Sequence, residues 1–224
     1  MMPDPSTDLP DARDTPPASL NLSGLAYRAV SEMIRDRRLK GGETVVEQRL
    51  AEVLGISRTP LREALQRLEG EGLVVKAANR SFVVRHVGLA EYLHSLKVRE
   101  ILEPEAAALA AGHIPMGLLQ AVRAEAVELH AAATHTHAHW VSDDRVHRAY
   151  AEHCGNEVMA RLIEGLRTTT RLFEIARLSD RVGPDSSEHI AILDALIAGD
   201  ARAARRAVQQ HLRSLSRFTL AMVR

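Results

Sequence analysis

The order of predicted helices and strands between residues 21 and 86 constrains the fold of this 224-residue chain more than any other feature. Three helical patterns occur there in succession, with glycines between or after them, as is common at helix ends and turns. Two short runs of β-branched or aromatic residues follow. The predicted helices span about 22–39, 46–54 and 57–70, and the predicted strands span 73–75 and 82–84. This order is typical of a winged helix-turn-helix, so residues 21–86 are predicted to form a DNA-binding domain.

The third predicted helix has one apolar face and one polar face. Its apolar residues follow the i, i+3, i+4, i+7 spacing of a buried stripe: Leu61, Ala64, Leu65 and Leu68. Its polar face carries the candidate DNA contacts Arg58, Arg62 and Gln66, with Thr59 beside them. Arginine can bind guanine through two hydrogen bonds in the major groove, and threonine or a helix N-terminus can hold a phosphate. Charge alone leaves open the alternative of an ordinary solvated helix face.

The charge distribution agrees with a DNA-binding domain at the N-terminal end. Residues 21–86 hold 12 Lys and Arg against 8 Asp and Glu, and residues 87–224 hold 16 against 17. The formal net charge of the whole chain is zero, which excludes a histone-like polycation but not a local basic face. Residues 1–20 are rich in proline and aspartate and are predicted to be a disordered tail.

Three further features predict a cytoplasmic location and no membrane partner. No apolar run is long enough to form a membrane-spanning helix, and no secretory signal segment is recognisable. The only cysteine, Cys154, cannot form an internal disulfide, which favours a reducing compartment.

Residues 87–224 show only helical periodicity and are predicted to form a second domain. Six helices of this length predict a compact all-α bundle, so the whole chain is predicted to be mainly α. The predicted helices are 89–111, 115–132, 139–154, 156–180, 186–198 and 201–222.

Four side chains that can bind a metal lie on the apolar stripes of three of these helices. Asp143 and His147 are four residues apart on one helix, and His189 and His211 lie on two others. A buried carboxylate or imidazole is costly unless it has a partner. One carboxylate and three imidazoles suit a divalent ion, with Zn²⁺ first and Ni²⁺ or Mn²⁺ as alternatives. Each histidine alone could equally be a hydrogen-bonded core residue.

Another histidine group and one arginine complete the candidate residues. His130, His135, His137 and His139 do not share one helix face, so we interpret them as part of a solvated loop between helices rather than as a metal site. Arg99 is predicted to point inward from the first bundle helix and therefore needs an anion. Its partner is either Glu103, four residues further on, or the carboxylate of a bound effector.

The stretch VVEQRLAEVLGISRTPLREALQRLEGEGLV resembles the DNA-binding signature of the GntR family of bacterial transcription factors. The resemblance implies a winged-helix domain that binds a two-fold symmetric operator as a homodimer. It also implies DNA contacts by Ser57, Arg58, Thr59 and Arg62. Two departures concern Gln48, where some members have an arginine, and the hairpin tip, where Asn-Arg-Ser replaces Asn-Arg-Gly. Arg80 at that tip is a further candidate for contact with phosphate or the minor groove.

Residues 89–218 resemble the FCD domain that follows the winged helix in the FadR-type branch of the family. The matching stretches are LKVREILEPEAAALAA, DDRVHRAYAEHCGN and SSEHIAILDALIAGDARAARRAVQQHL. The resemblance implies metal binding by Asp143, His147, His189 and His211, and a small organic acid as effector near Arg99. Val146 stands where a phenylalanine is usual, a change that should affect packing more than metal binding.

The sequence therefore predicts a ligand-responsive transcriptional repressor that binds double-stranded operator DNA and is not an enzyme. Two alternatives remain open from the residues alone. One is a metal-dependent enzyme that activates water at the Asp-His₃ site. The other is a constitutive DNA-binding protein with a purely structural metal.

Overall fold

The structure is a computed structural model that describes residues 21–35, 38–78, 81–173 and 178–222. The N-terminal part has the helix-turn-helix and wing order that the sequence predicts. Its elements are α1 (Leu22–Arg35), β1 (Thr44–Val45), α2 (Glu47–Leu54), α3 (Arg58–Gly70), β2 (Val74–Lys76) and β3 (Phe82–Val84). The strands form an antiparallel sheet in the order β1-β3-β2, with Val75 opposite Val83.

Two details of this part differ from the sequence prediction. Strand β1 was not predicted, because two residues are too short to show the alternation that identifies a strand. The first helix was predicted to reach Leu39, but Leu39 lies in a bend beyond α1 and is buried. Arg80 and its neighbour Asn79 lie outside the described residues, so the predicted contact at the wing tip remains a prediction.

The C-terminal part is the predicted helical bundle. Its elements are α4 (Leu89–Ala110), α5 (Met116–His130), α6 (His137–His153), α7 (Glu157–Leu172), a 3₁₀ turn (Leu178–Arg181), α8 (Val182–Ile197) and α9 (Ala201–Met222). Helix α7 is shorter than predicted and ends before Phe173. Helix α8 begins earlier than predicted, because Gly183 and Pro184 lie in its first turn, where a missing N–H is tolerated.

The core of the bundle determines which side chains point inward. Tyr92 of α4, Tyr150 of α6, Ile163 of α7, Leu193 of α8 and Val208 of α9 are all fully buried. Polar residues one helical turn from these positions lie on the same helix faces and therefore also point into the interior of the bundle. No helix in the described ranges is long and apolar enough to cross a membrane.

Candidate functional site

The first candidate site is the exposed face of α3. Its apolar stripe is buried as predicted, so the opposite face is available to DNA. Arg58, Thr59, Arg62 and Gln66 are all exposed on α3. Ser57 occupies the N-cap position with an extended backbone, and its exposed side chain makes no capping hydrogen bond. The hydroxyl therefore does not occupy the N–H groups of the first turn, which a helix N-terminus can offer to a phosphate.

A glutamate on α2 orients the two arginines of this face. Glu47 forms ion pairs with Arg58 and Arg62, with nitrogen–oxygen distances of 3.5 Å and 3.0 Å. The Glu47 side chain is only 9% exposed, whereas the arginines are 64% and 49% exposed. The sequence analysis did not identify Glu47, although an acidic residue at the start of α2 beside a basic face is a usable signal. Gln48, one residue further on, is exposed and donates to Glu52.

The second candidate site lies inside the bundle, where the structure brings Asp143, His147, His189 and His211 together. One possible ligand atom from each residue lies within 4.8 Å of the others. Asp143 Oδ1 is 3.5 Å from His147 Nε2 and 3.5 Å from His189 Nε2. Two ligands of one tetrahedral zinc ion lie about 3.4 Å apart, so this spacing suits a shared ion.

The hydrogen-bond partners of the histidine rings in the cluster also fit a bound cation. The Nε2 atoms of His147 and His189 are buried and have no hydrogen-bond partner. His147 Nδ1 is 2.6 Å from a Glu103 oxygen, and His211 Nδ1 is 3.0 Å from a Glu188 oxygen. With Nδ1 facing a carboxylate, Nε2 is the ring atom left to face a metal. Burial lowers the pKa of His189, which favours the neutral imidazole that binds metals.

The charge of Asp143 is stabilised by an arginine that the sequence analysis missed. Arg167 of α7 donates to Asp143 Oδ2 at 2.7 Å and to Asp144 at 2.6 Å. Burial opposes ionisation of Asp143, but Arg167 and the neighbouring histidines hold its pKa well below the usual range. The signal for Arg167 was its place four residues after Ile163, on the buried face of α7.

A cavity adjoins the cluster, and its wall includes Arg99, the arginine for which the sequence predicts an anionic partner. Arg99 is 1% exposed. It forms an ion pair with Glu103 and donates a hydrogen bond to the Thr170 hydroxyl. The cavity has a volume of about 30 Å³ and is lined by Arg99, Arg181, Thr170, His135, Trp140, Asp143, Asp185 and Leu215. Glu103 is thus the partner that Arg99 has in this structure, and Arg99 also forms part of the cavity wall.

The interpretation of the other histidines as one solvated loop is wrong in part. His130 and His137 are exposed, but His139 is 8% exposed because α6 begins at His137 and turns His139 inward. The His139 Nδ1 accepts from the Thr136 backbone N–H at 3.0 Å, which fixes the first turn of α6. His135 lines the cavity.

A winged helix-turn-helix joined to an all-α domain is the architecture of a class of transcriptional regulators. Two family profiles make the assignment specific. The profile of bacterial regulatory proteins of the gntR family matches residues 22–84, and the FCD domain profile matches residues 94–214. The chain belongs to the GntR family, in its FCD-domain branch. This is a family of transcription factors and not a class of enzymes.

Individual relatives agree with this assignment. The HTH-type transcriptional repressor NanR of Escherichia coli K12 is 28% identical over 228 residues, covering 91% of this chain and 86% of NanR. The Nta operon transcriptional regulator of Aminobacter aminovorans is 42% identical over 69 residues, which are 31% of this chain and 33% of that protein.

Two solved structures share the fold. Escherichia coli McbR/YncC has a TM-score of 0.75 at 22% identity, covering 91% of this chain and 99% of that one. A GntR regulator from Rhodococcus sp. RHA1 has a TM-score of 0.72 at 21% identity, covering 90% and 99%. The mainly helical fold with an N-terminal winged helix and a C-terminal FCD domain is therefore confirmed.

Proposed function

We propose that this regulator is a repressor that binds a two-fold symmetric operator as a homodimer and is controlled by a small organic acid. Residues 21–86 would bind the DNA, through Ser57, Arg58, Thr59, Arg62, Gln66 and Arg80, and residues 87–224 would bind the effector. The observation that carries the proposal is the cavity beside the Asp-His cluster, because it places Arg99 and Asp143 around one space. Similarity to a repressor, NanR, supports the sign of regulation.

We propose that Asp143, His147, His189 and His211 hold one divalent ion, Zn²⁺ in the first place and Ni²⁺ or Mn²⁺ as alternatives. Such an ion would supply positive charge, and expansion of its coordination beyond the four protein ligands would leave a position for a carboxylate from the cavity. Arg99, held between Glu103 and Thr170, would bind the same carboxylate through its guanidinium group. The effector can change operator affinity only if it binds the DNA-competent and the incompetent arrangements unequally.

Release from DNA by a carboxylate is the direct test of this function. The zinc-loaded protein is titrated onto a fragment of the promoter region beside its gene, with and without acetate, lactate, succinate or citrate. An effector should weaken operator binding by about 5- to 150-fold, the usual range of allosteric coupling. Turnover of each acid is followed in the same samples. Consumption of an acid without any change in operator affinity would favour the enzyme alternative.

The homodimer has its own test, because a symmetric operator requires two copies of the α3 face. Sedimentation equilibrium should give twice the chain mass of 24.6 kDa for the free protein, and that value plus the mass of the duplex for the complex. A monomer under both conditions would contradict the proposed assembly.

Zinc affinity should fall as the pH is lowered, because protons compete with the metal for imidazole nitrogens. An imidazole of ordinary pKa, about 6.5, loses about tenfold in its neutral fraction between pH 7.5 and 5.5. The lowered pKa of His189 keeps this ring neutral to lower pH, so its own share of the loss should appear at the acidic end. Competition against a chromophoric chelator at several pH values measures this. A flat profile would argue against imidazole ligands.

A further inference from the structure

Glu103 lies between the cavity and the Asp-His cluster and contacts both. Its side chain is 0% exposed on α4. One oxygen accepts from Arg99 Nε, and the other accepts from the Tyr150 hydroxyl and lies 2.6 Å from His147 Nδ1. The carboxylate thus links an arginine of the cavity wall to a histidine of the cluster.

A second set of residues repeats this arrangement from another pair of elements. Arg181, in the 3₁₀ turn, donates to Glu188 at 2.7 Å, and the same Glu188 oxygen is 3.0 Å from His211 Nδ1. Arg181 lines the same cavity as Arg99. The cluster is therefore joined to the cavity by two arginine–glutamate–histidine chains, which share no residue.

The Tyr150 hydroxyl also contacts His147 Nδ1. An ionised carboxylate accepts hydrogen bonds and cannot donate them, so a histidine whose Nδ1 hydrogen-bonds to it carries a proton on that atom. The lone pair then lies on Nε2, the atom that faces the cluster in His147 and has no partner there. The guanidinium groups of Arg99 and Arg181 contact these two carboxylates and stabilise their ionised form.

We propose that Glu103 and Glu188 are positioning residues of the metal centre, which fix the Nδ1–H form of His147 and His211 and connect both rings to the arginines of the cavity. The proposal rests on the metal site proposed above. An anion drawn to Arg99 or Arg181 then acts on the same glutamates that orient the metal ligands, so the cavity and the cluster are physically coupled.

Glutamine at position 103 reverses the hydrogen-bond polarity toward His147 with little change in shape, because Arg99 and His147 contact different oxygens of that carboxylate. Its carbonyl oxygen satisfies the arginine, and its NH₂ group then faces the histidine Nδ1, which must become an acceptor. The proton moves to Nε2 and blocks the metal-binding atom. Loss of an outer partner of a ligating histidine typically weakens metal binding about 10- to 100-fold.

The experiment measures Zn²⁺ affinity of the full chain by chelator competition for the parent, Glu103→Gln, Glu188→Met and the control Glu105→Gln. Methionine is used at position 188 because Arg181 and His211 share one oxygen there, so the oxygen of a glutamine could satisfy both. Glu105 lies on the same helix but pairs with Arg205 at the surface, where the two side chains are 46% and 47% exposed. The first two variants should bind zinc at least tenfold more weakly, and the control should match the parent. A parent that binds no zinc would refute the metal site itself, before Glu103 and Glu188 are in question.

The tautomers are read independently from ¹⁵N shifts of the imidazoles in the zinc-free parent, which needs no variant to fold. His147 and His211 should carry the proton on Nδ1. In the folded Glu103→Gln variant His147 should switch to Nε2, and in the folded Glu188→Met variant the Nδ1–H form of His211 should no longer predominate. Protons on Nε2 in the parent, or a folded Glu103→Gln or Glu188→Met variant that binds zinc within threefold of the parent, would overturn the proposal.

Discussion

Arg58→Ala and Arg62→Ala should each weaken specific operator binding by roughly 5- to 150-fold while leaving the fold intact. A lost two-bond contact between arginine and guanine costs roughly 1–3 kcal/mol. Both side chains are exposed, and their ion pairs with Glu47 lie at the surface, so their removal should change stability little. Fluorescence anisotropy with an operator fragment and with an unrelated fragment measures the loss of discrimination.

Arg67→Ala is the matched control for both variants. Arg67 lies in the last turn of the same helix and is also exposed, but its guanidinium stacks 3.8 Å from the Tyr27 ring centre and pairs with Glu71. Its removal takes one positive charge from α3 without touching the N-terminal face. If the control loses as much discrimination as Arg58→Ala and Arg62→Ala, the N-terminal end of α3 does not contact the bases.

The helices of both domains could be predicted because their apolar spacing is local information. The buried stripe of α3 and the inward positions of Asp143, His147, His189 and His211 both follow from residues three and four apart. Asn156 was likewise predicted to begin a helix, and its side chain accepts from the Met159 N–H at 3.0 Å. Where a helix has one apolar face, the sequence alone shows which of its side chains point toward the core.

The contacts between these helices could not be predicted, because periodicity gives the face of a residue but not its neighbour. Arg167 meets Asp143 across 24 positions of the chain, and Glu188 meets His211 across 23. His139 was misplaced for a related reason, since its burial depends on where α6 begins after an irregular loop. Strand β1 exists because its two residues pair with β3.

Replacing His189 and His211 together by alanine should remove the bound metal and the stability that it contributes. Two of the four side chains of the cluster disappear, and the remaining pair, Asp143 and His147, comes from a single helix. An ion that binds only the folded chain stabilises it by about 2.7 kcal/mol when its free concentration is 100 times Kd. Elemental analysis before and after chelation, together with thermal unfolding, measures both effects.

Alanine at two buried positions also creates cavities, so a lower melting temperature alone proves nothing about a metal. The informative quantity is the change in melting temperature on chelation, which should be large for the parent and absent for the double variant. His130→Ala with His137→Ala removes two exposed imidazoles instead and should behave like the parent. Equal metal content in the parent and in the His189 and His211 variant would place the ion elsewhere. Because Glu103 and Glu188 would remain in that variant, it separates direct ligands from the residues that orient them.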